Sequence, residues 1–153
     1  MIAEGFFPTL VFAEDVKLDN QQLANDIVAW SKQDKGVKKT NMNGWHSRSI
    51  ENLNLVDPNY VFALNAFVKE LDAQVDYCRK TMGLPELEFQ NFWININGPG
   101  AYHTLHNHQD AMLSGVFYID VPAVNMGDLQ FFRGDDAQSV SYTHLTLPTN
   151  REV

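Results

Sequence analysis

In the run Leu87-Glu88-Phe89-Gln90-Asn91-Phe92-Trp93-Ile94-Asn95-Ile96-Asn97 the side-chain pattern repeats every two residues. Leu87, Phe89, Asn91 and Trp93 alternate with Phe92, Ile94 and Ile96, as they do along a β-strand with two faces. The run stops at a tight Gly98-Pro99-Gly100 turn. Upstream the period is different. Val61, Leu64, Phe67, Val68, Leu71, Val75, Cys78 and Met82 recur at steps of three and four, which predicts a long amphipathic helix. Asp57-Pro58 opens it, Gly83 closes it, and Pro85 prevents its resumption. Its apolar stripe is core packing. Further back, Asp19 or Asn20 caps a first helix that carries Leu23, Ile27, Val28 and Trp30 mostly on one face and ends at Gly36. The opening Phe6-Phe7-Pro8-Thr9-Leu10-Val11-Phe12 reads as a strand with Pro8 at its start or on an edge. Residues 38–55 are polar and loop-like, with Asn41, Asn43 and Gly44 as turn residues. Downstream, Leu113 to Val121 predicts a second strongly apolar strand, stopped by Pro122, and Asp128 to Phe132 a third. Helices first and strands after predict an α+β chain, mainly β, in which a sandwich or barrel carries the helices on its outside.

Composition narrows the classes of function. The 153 residues are 44% apolar and 20% charged, which fits one ordinary globular domain or most of one. Eleven basic against nineteen acidic residues leave a net charge of −8. That balance disfavours a nucleic-acid backbone or an anionic membrane as partner. A single cysteine, Cys78, excludes a disulfide framework and a multi-thiolate zinc site. No apolar run reaches the ~20 residues of a membrane span, and the start Met1-Ile2-Ala3-Glu4-Gly5 lacks the features of a signal peptide. The expectation is a cytoplasmic protein in a reducing compartment. Neither substrate nor oligomeric state is legible.

The chemistry-bearing residues are the histidines. Of His46, His103, His106, His108 and His144, three fall within Tyr102-His103-Thr104-Leu105-His106-Asn107-His108-Gln109-Asp110. On an extended backbone His106, His108 and Asp110 share a face. His108-Gln109-Asp110 offers an imidazole and a carboxylate to one ion. With a further histidine from a distant strand, that set is the facial triad that holds ferrous iron and leaves positions open. The plainer alternative is a polar surface loop after Gly98-Pro99-Gly100. His46 is expected to cap a loop, and Trp93 and Tyr118 to line the core.

Several separate segments, in order, resemble a known family. They are Phe6-Phe7-Pro8-Thr9, then Thr40-Asn41-Met42-Asn43-Gly44-Trp45-His46-Ser47, which is similar to a Ser-Asn-x-x-Gly-Trp-Gln-Ser segment, and Trp93-Ile94-Asn95-Ile96-Asn97. After these come His106-Asn107-His108, Ser114-Gly115-Val116-Phe117-Tyr118-Ile119-Asp120-Val121-Pro122, and Gly127-Asp128-Leu129-Gln130-Phe131. Together they resemble the 2-oxoglutarate/Fe(II)-dependent oxygenases common in marine bacteria and their phages, from about residue 6 to about residue 135. The resemblance implies a double-stranded β-helix, or jelly roll, buttressed by N-terminal helices. It implies Fe(II), 2-oxoglutarate and dioxygen, and hydroxylation of a C–H bond in a bacterial or phage-infected cell. Carried onto this chain, it makes His108 the first iron ligand and Asp110 the carboxylate, with His106 as the rival ligand. Asn95 and Tyr102 become candidates to bond 2-oxoglutarate.

The end of the chain departs from the family, which continues into further strands with a distal histidine and an arginine for the far carboxylate of 2-oxoglutarate. His144 and Arg151 stand in a tail, residues 140–153, that does not resemble those strands. Val140-Ser141-Tyr142-Thr143-His144-Leu145 instead resembles a translated sequencing adapter. The expectation is a partial oxygenase domain over residues 1–139, a jelly roll incomplete at its C-terminus, and a 153-residue chain that is inactive and marginally stable. Two other classes fit the same pattern. One is a cupin-like jelly-roll binding module without redox chemistry, and the other a zinc hydrolase using His106, His108 and His144.

Overall fold

The structure is a computed structural model that describes residues 10–56, 60–108, 110–122, 127 and 129–131. The chain divides into two units, residues 18–126 and residues 1–17 with 127–153. In the second unit the described residues, 10–17, 127 and 129–131, form no helix or strand. The first unit holds every regular element.

Helix α1, Asn20–Ser31, begins where a carboxylate can cap it: Asp19 accepts a 3.0 Å hydrogen bond from the Gln22 N–H. It buries Leu23 and Ile27, while Val28 is exposed. The helix stops at Ser31, short of Gly36, because the N–H groups of Gln33 and Asp34 both turn back to the Trp30 carbonyl, at 2.9 and 3.0 Å. Gly36 has its own task. Its φ of +64° is in the left-handed region, and a β-carbon there would collide with the His46 carbonyl.

Helix α2, Val61–Thr81, follows the predicted stripe. The predicted opening at Asp57-Pro58 lies outside the described residues. Its C-terminus closes as predicted, with Leu84 N–H on the Arg79 carbonyl at 2.8 Å and Gly83 N–H on that of Lys80 at 3.2 Å. This paired closure has Gly83 at φ +67°. Among the described residues no helix is long and apolar enough to cross a membrane.

A 3-10 turn, Leu53–Leu55, and four short strands complete the unit. β1 (Asn41–Met42) pairs antiparallel with β4 (Tyr102–His103), in register Asn41 with His103. β2 (Trp45–His46) pairs antiparallel with β3 (Asn95–Ile96), in register His46 with Asn95. An isolated bridge joins Ile50 to Phe92. Segment 41–50 therefore runs against segment 92–103 as an interrupted ribbon. The turn at Gly98–Ala101, closed by a 3.0 Å hydrogen bond, reverses nothing; it carries the chain from β3 to β4 along the same partner. The predicted loop over 38–55 is thus half of a ribbon. Its partner lies some fifty residues away, which no local pattern reports.

Leu23, Ile27, Ile50, Val56, Tyr60, Leu64 and Ile94 form the core, with Trp30, Trp45, Phe92, Ile96, Phe117 and Ile119 packed against it. Each such side chain contributes roughly 1.5–3 kcal/mol on full burial. The helices thus cover one face of the ribbon.

The fold is mixed, with two helices and short antiparallel sheets, rather than mainly β among the described residues. The predicted strand over 113–121 is irregular throughout. Its period of two survives, because Phe117 and Ile119 pack on the core while Val116 and Tyr118 are exposed. Without a backbone partner an alternating segment is extended but is not a ladder. Residues 10–12 and 129–131 of the other two predicted strands are likewise irregular; the remainder of both lies outside the described residues, except Gly127 beside the last.

Candidate functional site

Alternation along β3 sorts its side chains. Phe92, Ile94 and Ile96 face the helices, and Trp93, Asn95 and Asn97 take the other side. His46, paired with Asn95, joins them and is 4% exposed. It is a strand residue, not the predicted loop cap. Its Nδ1 lies 2.6 Å from the Ser47 carbonyl, so that nitrogen carries the ring proton.

A row of rings runs along this side. His46 stacks on Trp93 with centroids 5.8 Å apart and planes at 11°. Trp93 stacks on His108 at 5.5 Å and 5°. His106 lies 5.2 Å from His108, and His103 lies 6.2 Å from His106. Trp93, predicted to line the core, instead stacks on two imidazoles. These distances are those of offset aromatic pairs. Four of the five histidines therefore gather on one side of the ribbon; His144 lies outside the described residues.

Beside the rings is a group of amides. Asn41, 6% exposed, shares the two protons of its Nδ2 among three acceptors, Asn97 Oδ1 at 2.9 Å, Asn95 Oδ1 at 3.0 Å and the Trp45 carbonyl at 3.3 Å. Its Oδ1 is buried without a hydrogen-bond partner. It packs against Gly44, where an added β-carbon would lie 2.5 Å from Oδ1 of both Asn41 and Asn97. Asn97 reaches on to His103, Nδ2 to Nε2, at 3.5 Å. Partial burial, then the neighbouring His106 and His46, hold the His103 ring below its ordinary pKa of 6.5.

The predicted ligands occupy distinct places. His106 and His108 are exposed and adjacent, and His106 Nδ1 bonds the Thr104 carbonyl at 2.7 Å. Asp110 is exposed in the turn that follows, where Ala111 N–H meets the His108 carbonyl at 3.3 Å. Asn95 is half-buried and held by Asn41. Tyr102 is 56% exposed and, next to His103 on β4, points to the opposite side of that strand. Imidazole nitrogen and carboxylate oxygen are donor types that ferrous iron accepts, so the chemistry of this set fits that ion. Among the described residues no three His, Cys, Asp or Glu side chains converge on one point, so these residues alone do not assemble a full set. Sequence reasoning missed Asn41, Asn97, His46 and Trp93 as members of this side. For Trp93 and Asn97 the signal was present, since both share parity with Asn95.

Residues 91–152, about two fifths of the chain, match the model of a family described as "Putative 2OG-Fe(II) oxygenase". The span contains β3, β4 and the clustered His103, His106 and His108, and it runs on through most of the tail. The resemblance read from the motifs is supported over that span. No curated protein and no solved structure matches the chain.

Proposed function

We propose that the chain carries part of an Fe(II)- and 2-oxoglutarate-dependent dioxygenase of the hydroxylase type, built on a jelly roll. The observation that carries this reading is the family match over residues 91–152, the segment that supplies three of the four gathered histidines. His108 is the first iron ligand and Asp110 the carboxylate, with His106 as the rival for the imidazole position. Asn95 serves 2-oxoglutarate. Ferrous iron, when bound, supplies open coordination positions for the co-substrate and dioxygen, and with them oxidation of a C–H bond. The protein's own work is done by the ribbon. It fixes the imidazoles against Trp93, holds the amides through Asn41, and closes its far face with the helices.

Metal-dependent binding of 2-oxoglutarate is the test of this reading. Calorimetry under anaerobic conditions, with Fe(II) and 2-oxoglutarate added separately and together, should give 2-oxoglutarate binding that requires the metal and disappears in His108→Ala. A folded chain that takes up neither iron nor 2-oxoglutarate would overturn the proposal in favour of a cupin-like module without redox chemistry.

A further inference from the structure

One buried side chain organises the polar side of the ribbon. Asn41 sits on β1, yet its Nδ2 reaches two residues of the opposite segment, Asn95 and Asn97, and the carbonyl of Trp45. A main-chain carbonyl can only accept, so the Trp45 contact decides which end of the Asn41 amide faces the group. Asn95 and Asn97 must then turn their oxygens toward Asn41 and their own Nδ2 groups away from it. Asn97 Nδ2 meets His103 Nε2 at 3.5 Å. That nitrogen is the acceptor, which leaves the ring proton on Nδ1. Gly44 leaves room for this packing, since a β-carbon there would overlap the Asn41 and Asn97 oxygens.

We propose that Asn41 is a positioning residue. It holds Asn95 and Asn97 as a pair of amide donors on one side of the ribbon, and through Asn97 it sets His103 in its Nδ1–H tautomer. Two donors two residues apart on a strand share a face and suit a ligand rich in acceptors, a carboxylate. The carboxylate assignment rests on the oxygenase reading, in which the ligand is 2-oxoglutarate; the tautomer assignment does not.

The test uses the 153-residue chain labelled with ¹⁵N-histidine, with His103 assigned through His103→Gln. Long-range ¹H–¹⁵N correlation should find the wild-type His103 protonated on Nδ1. In Asn97→Asp a carboxylate faces Nε2 and can only accept, so the ring proton should move to Nε2. In Asn41→Asp the amides of Asn95 and Asn97 should reverse to donate to it, and His103 should again switch to Nε2–H, although Asn41 does not touch its ring. A purely structural role predicts no such switch. A wild-type His103 protonated on Nε2, or an Nδ1–H form that persists in both aspartate variants, overturns the proposal. Asn97 is exposed, so Asn97→Asp carries the test if burying a charge at position 41 prevents folding. For the ligand, Asn41→Ala should weaken 2-oxoglutarate binding by about tenfold, as expected for disordering donors to a charged group. Unchanged affinity overturns the carboxylate assignment. A wild-type chain that binds no 2-oxoglutarate overturns the oxygenase reading and that assignment with it, and leaves the tautomer result to be judged by itself.

Discussion

Replacing Gly44 by alanine puts a methyl group where the structure has no space for one. The new carbon would lie 2.5 Å from the side-chain oxygens of Asn41 and Asn97 and 2.8 Å from Asn41 Nδ2. Ordinary contact needs about 3.5 Å, so the amides must retreat by roughly 1 Å. Asn97 is exposed and can move, but Asn41 is enclosed. A shift of that size takes its bonds to Asn97 and Asn95, now 2.9 and 3.0 Å, beyond hydrogen-bonding length. Two neutral bonds contribute about 1 kcal/mol each, and a buried donor left unpaired costs about 1–3 kcal/mol more. Against this, alanine restricts the unfolded chain and returns about 0.4–1 kcal/mol. The expected net loss is about 2–5 kcal/mol. With a urea slope of about 1–3 kcal/mol per molar, the midpoint should fall by roughly 1–2 M at unchanged slope. Urea unfolding followed by far-ultraviolet circular dichroism reads this directly. Gly98→Ala is the control, because nothing lies within 4 Å of a β-carbon there; it should stay within about 0.5 kcal/mol of wild type. A Gly44→Ala chain as stable as wild type would refute the claim that Asn41 is clamped.

Three further outcomes are expected. Leu64→Ala removes a side chain that is 2% exposed at the centre of the core and should cost about 2–5 kcal/mol in urea unfolding, while Val28→Ala, on the open side of α1, should cost far less. Asp19→Ala removes the cap of α1 and should cost about 1 kcal/mol in the same assay, largely restored by Asp19→Asn. His103 is held below its ordinary 6.5 by partial burial and by His106 and His46, so the folded state disfavours its protonation. Its contribution to stability is therefore complete above about pH 6.5 and is lost as pH falls through the lowered folded value; the unfolding midpoint should drop on acidification, and drop less in His103→Gln.

How much of this was legible can be judged residue by residue. The two helices could be read because their information is local: a carboxylate at position 19, apolar steps of three and four, and a glycine at position 83 that can take a left-handed backbone. The period of two at 92–97 could be read for the same reason. The half-ribbon at 41–50 could not, because its segments are two residues long and it draws its register from a partner some fifty residues on. The strand predicted over 113–121 failed in the opposite sense. Its alternation is real, but alternation describes side chains, and a strand also needs a neighbour for its backbone.

Trp93 shows where the reading of the site went astray. Size argues that a tryptophan belongs in a core; parity argues that residue 93 belongs with Asn95 and Asn97. Parity is the stronger constraint, since turning one side chain to the other face requires shifting the whole strand by a residue and would expose Ile94 and Phe92. Once Trp93 is on the polar side it needs apolar or aromatic cover there, and the available partners are rings. His46 and His108 both stack on the indole. The tryptophan thus links two histidines that stand sixty-two positions apart in sequence. The cluster at 103–108 is only half of the arrangement. Its other half, Asn41 and His46, lies in the segment whose residues looked most like a loop, and the ribbon that joins the two halves is what makes a candidate site of them.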